Sequence, residues 1–151
     1  QMDLCNAFPS LSQEKLAQEL KRQGHRFPNT RAGFIYEARK HHKMLRKTLD
    51  SFEDDQERRD WLVKNVKGLG MKESSHFLRN IGYKNYAIID FHIIDLLSDN
   101  GLIEKPKNKA VSRKMYLETE SILRNIGQKT ALSQAELDLY LWYMETGKIL
   151  K

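Results

Sequence analysis

Lys67-Gly68-Leu69-Gly70-Met71-Lys72 is the stretch that decides how this chain folds. Two helical segments meet there. Upstream, Ser51 or Asp54 can start a helix whose buried side is Trp61, Leu62 and Val66. Downstream, a helix runs over 71–81 and closes at Gly82. Glycines at 68 and 70 permit positive φ and a close backbone approach. Leu69 between them can plug the core and hold the turn shut. The helix that follows opens with amides that lack intrahelical partners. Those amides and the helix dipole can hold a phosphate oxygen without reading sequence. An ordinary short loop between two helices is the other reading of the same residues.

Working outward, the pattern is helical nearly throughout. Ser10 with Gln13 resembles a capping box for a helix over 11–23 that stops at Gly24. Pro28 marks a loop, and Thr30 can cap a second helix over 31–47 with Phe34, Ala38 and Leu45 on one face. Residues 83–89 read as an extended connector. Asp90 then begins a short helix over 91–97 that stops near Gly101. A basic loop at 105–109 precedes a helix over 111–126 that ends at Gly127. Ser133 and Glu136 form a capping box for the last helix, which runs to Thr146 with Gly147 as its stop. Its apolar face is Leu137, Tyr140, Leu141 and Met144. No strand and no repeat is legible. The expectation is an all-α single domain over 1–151, with the hairpin at 67–71 inside it.

Composition narrows the function classes. The 151 residues are 40% hydrophobic and 30% charged, enough for one real core under a well-solvated surface. No apolar run reaches the about 18 residues of a membrane span, and the N-terminus lacks the layout of a signal peptide. Cys5 is the single cysteine, so neither an internal disulfide nor a four-cysteine metal or iron–sulfur site can form, which fits a reducing cytosol. The net charge is +6 and unevenly spread. Nine Lys/Arg and one acid lie over 21–47, whereas six acids lie over 50–60. Such a distribution favours a polyanionic partner, though a generic basic surface has the same look. Adjacent His41 and His42 cannot share a helix face, and no metal site is expected.

Lys72 and Asp90 carry the chemistry. Lys72 falls at the start of the 71–81 helix, where a positive potential and partial burial would disfavour its ammonium form. An amine so tuned can form a Schiff base at a sugar carbon. A solvated surface charge is the plainer reading. Asp90 follows Ala87-Ile88-Ile89 and precedes a helix, so it reads as an N-cap. Beside an amine, it could also take a proton and stabilise positive charge developing on a deoxyribose ring. Capping and catalysis are compatible.

Taken together, Gly68-Leu69-Gly70-Met71-Lys72 and, 18 residues after Lys72, Asp90-Phe91-His92 resemble the signature of the helix-hairpin-helix DNA glycosylases. That signature is a G-x-G hairpin, a Lys just after it, and a D-x-H at this spacing. Lys67 departs from it, since many members carry Pro there. Endonuclease-III-like members end in a four-cysteine cluster that this chain cannot build. The remaining match is the archaeal type 2 8-oxoguanine DNA glycosylase/AP lyase group. The segments Gly24-His25-Arg26-Phe27-Pro28-Asn29-Thr30-Arg31-Ala32-Gly33-Phe34 and Leu139-Tyr140-Leu141-Trp142-Tyr143-Met144-Glu145-Thr146-Gly147-Lys148 also look like that group, and the likeness leans toward the methanogen enzymes.

What the resemblance implies follows residue by residue. Lys72 attacks C1′ of the lesion nucleotide, and Asp90 activates it. His92 contacts a backbone phosphate, and the backbone around Gly68, Gly70 and Lys67 holds another. Carbonyls of Lys64, Val66 and Leu69 are the positions for a structural monovalent or calcium ion; no catalytic metal and no cofactor is implied. Trp142 is the candidate surface for the flipped base, with core packing as its alternative. Lys151 and its carboxylate are implied in the base pocket, where an acceptor could recognise the N7–H that guanine lacks. The group carries further N-terminal helices, so part of the lesion pocket is expected to lie outside this chain. The implied partner is double-stranded DNA containing 8-oxoguanine, met by a monomer in the archaeal cytoplasm, with no membrane. Two other activities fit the same residues: a lyase for another oxidised base or a bare abasic site, and a non-catalytic hairpin that only binds DNA.

Overall fold

A computed structural model describes residues 10–106 and 111–149. Among them every regular element is helical. They fall into two compact units, divided between Leu69 and Gly70.

The first unit opens with α1 (Gln13–Arg22), capped by Ser12, whose Oγ accepts the Lys15 N–H. The cap is Ser12 and not the expected Ser10. Leu16 and Leu20, one turn apart, bury one face of α1 against Ala32 of α2 (Pro28–Ala38). Pro28 is the first residue of α2 and not part of a loop, because a proline there forfeits only an amide that would lack a partner anyway. Phe27, in the left-handed region with φ 54°, makes the entry, so Thr30 is no cap. The single helix expected over 31–47 is broken. A 3₁₀ turn at Arg39–His41 intervenes, and α3 (Leu45–Asp50) follows. Here Arg39 reaches back to the Leu11 carbonyl at 2.5 Å, a tertiary bond that periodicity does not reveal.

Helix α4 (Asp55–Asn65) is capped by Asp54, which accepts the Glu57 N–H at 2.8 Å. Its buried side is Arg58, Arg59 and Leu62; Trp61 and Val66 are only half-buried. Arg58 is inside because its guanidinium serves as a clamp. It donates to the Leu49 carbonyl at 2.9 Å, to the Phe52 carbonyl and to Asp55. A buried arginine is tolerable when its donors are met in this way.

The second unit contains α5 (Met71–Asn80), α6 (Phe91–Asp99), α7 (Arg113–Thr130) and α8 (Gln134–Thr146). Its core is Ala87, Ile89, Ile93, Ile94, Leu97, Tyr116, Leu123 and Leu137. Helix α7 does not stop at Gly127 but runs on to Thr130, with Ala131 at φ 57° as its left-handed end. Gly127 serves close approach instead: a Cβ there would sit 2.7 Å from the Leu132 carbonyl oxygen. The capping box at Ser133 and Glu136 and the left-handed stop at Gly147 are as expected. The apolar face expected of α8 is not. Leu137 is buried and Leu141 packs on the core, whereas Tyr140 and Met144 are exposed. None of the described helices is long and apolar enough to cross a membrane.

Candidate active site

In the first unit, the turn after α4 closes with the Leu69 N–H on the Val66 carbonyl at 3.1 Å. Gly68 has φ 91°, and a Cβ there would fall 2.3 Å from Phe34 Cδ2, so glycine is demanded twice over. Leu69 is half-buried and Lys67 is exposed. His41 Nε2 lies 3.0 Å from the Asn65 carbonyl, and its ring stands edge-on to Trp61 at 5.3 Å.

In the second unit, Gly70 is the N-cap of α5. Its φ is −89°, so left-handed freedom is not used there, contrary to expectation. No side chain caps the first-turn amides; Glu73 instead folds back and accepts the Gly70 N–H at 3.2 Å. Lys72 is the second residue of this helix.

Asp90 divides its two oxygens between two tasks. Oδ1 accepts the N–H groups of His92 at 3.0 Å and Ile93 at 3.2 Å, which caps α6. Oδ2 faces the Lys72 ammonium nitrogen at 3.8 Å. The lysine side chain is 43% exposed and the aspartate 15%, so the amine is open to a ligand while the carboxylate is held. A separation of 3.8 Å is an ion-pair distance, longer than a hydrogen bond.

The stretch leading into Asp90 is pinned from α7. The Tyr116 hydroxyl donates to the Ala87 carbonyl at 2.8 Å, accepts the Ile89 N–H at 3.4 Å and contacts Ser75 Oγ at 3.1 Å. Residues 83–89 form no regular element, so without such partners their buried amides and carbonyls would go unmet. Tyr116 escaped the sequence reading. Its spacing marks only a core position on a helix, and nothing local points to the backbone it serves.

Trp142 stands edge-on to His92, with ring centroids 5.4 Å apart. His92 also lies beside Phe91, and its Nδ1 is 4.0 Å from Glu145. The Trp142 indole N–H is buried with no protein partner. One turn back on α8, Asp138 accepts from Arg79 at 2.5 Å. Burial pushes the Asp138 carboxyl above its ordinary value; Arg79 offsets this in part, and the nearby Asp90 charge adds to it. This pair, too, escaped the sequence reading, because Arg79 and Asp138 are 59 residues apart. Lys151 lies outside the described residues. Among the described residues no group of three or more His, Cys, Asp or Glu side chains could hold a metal ion.

The second unit thus brings Lys72, Asp90, His92 and Trp142 together: α5 supplies the amine, the first turn of α6 the acid and imidazole, and α8 the indole. A half-exposed amine next to a fixed carboxylate suits nucleophilic attack with proton transfer.

Comparison with known proteins identifies the family. A family model described as 8-oxoguanine DNA glycosylase matches residues 1–132. An 8-oxoguanine DNA glycosylase/AP lyase of Korarchaeum cryptofilum is 58% identical over 142 residues, spanning 94% of this chain and 68% of the relative. The Methanocaldococcus jannaschii protein of the same name is 47% identical over 151 residues, covering all of this chain and 72% of the relative. The crystal structure of that organism's 8-oxoguanine glycosylase/lyase, in complex with 15mer DNA containing 8-oxoguanine, superposes with a TM-score of 0.87 at 48% identity, over 96% of this chain and 69% of the other. With this match in sequence and in fold, the chain belongs to the 8-oxoguanine DNA glycosylase family.

Proposed function

We propose that this chain excises 8-oxoguanine from double-stranded DNA and then cleaves the strand at the abasic site, with Lys72 as nucleophile and Asp90 as its carboxylate partner. The observation that carries the reading is the Lys72–Asp90 pair at the open start of α5. The substrate class rests on the relatives' names and on the DNA of the M. jannaschii complex.

The glycosidic carbon is buried in stacked duplex, so the nucleotide must be flipped out first. The neutral amine of Lys72 then attacks C1′ while the bond to the base breaks and its electrons leave with the base. Asp90 Oδ2 is the group placed to take the proton the amine gives up, and its charge stabilises the cationic sugar. Ring opening gives a protonated imine. Loss of a proton from C2′ expels the 3′ phosphate, and water finally releases Lys72.

The other residues hold the substrate. In the second unit, amides around Gly70 grip one phosphate and His92 another; in the first, the Gly68 backbone and Lys67 offer phosphate contacts of their own. Trp142 offers the base a ring face. A cation on the carbonyls of Lys64, Val66 and Leu69 would brace the turn at the negative pole of α4, and no step of the reaction passes through it. DNA of an archaeal cell is met in the cytoplasm, which is where this reading places the chain.

Borohydride trapping on an 8-oxoguanine duplex tests the proposal. The expected result is a covalent protein–DNA adduct that Lys72→Gln abolishes. Trapping that survives in that variant would remove Lys72 from the mechanism. An uncut 8-oxoguanine duplex beside a cleaved thymine glycol duplex would overturn the lesion assignment.

A further inference from the structure

Resting on the reading above, we infer that His76 is the base that removes the C2′ proton in the strand-cleaving step. That step needs a proton acceptor, and the roles already assigned leave it without one. Asp90 Oδ2 takes the proton of the attacking amine, and Oδ1 caps α6. Asp138 is joined to Arg79, Glu73 holds the Gly70 N–H, and Glu145 stands against His92. His76 is exposed and makes no hydrogen bond among the described residues.

Placement is the first support. His76 follows Lys72 by four residues on α5, so the two are neighbours on one side of the helix, with Cβ atoms about 5–6 Å apart. The Cα–Cβ bond of a helical residue tilts toward the helix N-terminus. The His76 side chain therefore leans over the turn that carries Lys72 and not away from it. Ser74, Ser75 and Leu78 are the buried residues of α5, which leaves the side of Lys72 and His76 open to a ligand. Charge agrees with placement. The Asp138 carboxyl on α8 feels both Asp90 and His76, so the acid that serves the amine and this imidazole border the same region.

Chemistry assigns the role. After ring opening, C1′ is bonded to the Lys72 nitrogen as a protonated imine, and C2′ is the next carbon. Holding the amine therefore holds C2′ as well. The positive imine makes the C2′ hydrogen acidic. His76 takes that proton on a ring nitrogen, the electron pair of the C2′–H bond forms C1′=C2′, and the lysine nitrogen becomes neutral. The enamine then expels the 3′ phosphate. The C3′–O bond breaks with its electrons on oxygen, C2′=C3′ forms, and the nitrogen is positive again. The imidazolium passes its proton to water. Imidazole suits such a task because it exchanges protons readily near neutral pH. A base at this point governs strand cleavage and not base release, since the lesion base has left before the C2′ proton does.

The test is borohydride trapping on a duplex with one abasic site, where the imine forms without a lesion base. Borohydride fixes imines on uncut and on cut strands alike, and the two adducts differ in size. We expect His76→Gln to trap as much DNA in total as the wild type, while the ratio of cut to uncut adduct falls by about tenfold or more. In His76→Ala, added imidazole should raise the lowered ratio back toward the wild-type value. A ratio unchanged in His76→Gln would overturn the inference, because another group would then be taking the proton. So would a total that falls along with the ratio, which would make His76 a binding residue, or a lowered ratio in His76→Ala that ignores imidazole, which would make its role structural. A wild-type chain that is never trapped refutes the parent reading as well; one that is trapped while His76→Gln cuts normally refutes this inference alone. Should His76→Gln fail to fold, His76→Asn carries the same measurement.

Discussion

Lys72 and Asp90 stand 3.8 Å apart, and Asp90 faces the amine with Oδ2 because Oδ1 is held by the His92 and Ile93 amides. The helix cap fixes the carboxylate before any substrate arrives. Asparagine keeps the capping oxygen and loses the charge. Asp90→Asn should therefore leave stability nearly unchanged while excision falls by about a hundredfold or more. Asp90→Ala should lose activity and about 1 kcal/mol of stability as well. Single-turnover kinetics and urea unfolding on both variants check this, and normal turnover by Asp90→Asn would exclude the acid from the mechanism.

Tyr116 bonds the backbone that delivers Asp90. Tyr116→Phe deletes the hydroxyl and leaves the Ala87 carbonyl and the Ile89 amide short of a partner in the core. A loss of about 1–3 kcal/mol is expected in chemical denaturation. Excision should fall as well, although Tyr116 touches no substrate. A variant as stable and as active as the parent would show that the connector holds itself.

Gly68 and Gly70 should respond differently to alanine. At Gly68 the new methyl meets both a positive φ of 91° and the Phe34 ring. A loss of about 1–3 kcal/mol is expected there. At Gly70 the backbone is extended, and the nearest atom is the Glu73 carboxylate at 3.0 Å, which can swing away. A change within about 0.5 kcal/mol is expected. Thermal melts of the two variants compare them directly, and equal losses would contradict the geometry.

Glu73 places a negative charge on the Gly70 amide, at the point assigned to a phosphate. Glu73→Gln should then tighten binding to undamaged duplex by about two- to fivefold at low salt. The gain should shrink as salt rises. Fluorescence anisotropy titrations across a salt series test it, and weaker binding would mean that Glu73 orders the turn rather than competing with DNA.

Asp138 makes stability depend on pH in a definite direction. Burial, its largest influence, raises the folded-state pKa above the ordinary 3.8, so folding favours the protonated acid. The associated stability is fully present below the unfolded pKa and is lost as pH rises through the folded one. Relative to Asp138→Asn, which is neutral at every pH, the wild type should fare better in acid than at pH about 7. Paired unfolding curves at the two pH values check the sign, and the opposite trend would show that Arg79 outweighs burial.

The sequence by itself determined the helical class, the breaks at Gly24, Gly82 and Gly147, the caps at Asp90 and Ser133, and the candidacy of Lys72 and Asp90. These are local matters: a cap or a glycine stop acts within one helical turn, and a motif spacing is written along the chain. Only the tertiary structure decided what depends on distant partners. It broke the 31–47 helix, where Arg39 reaches Leu11, and carried α7 past Gly127, where two backbones nearly touch. It buried Arg58 and Arg59 on the side of α4 where Trp61 was expected. It also set Tyr116 under the connector and joined Arg79 to Asp138. Periodicity reports which side of a helix is apolar, but not which carbonyl or carboxylate from elsewhere will be waiting there.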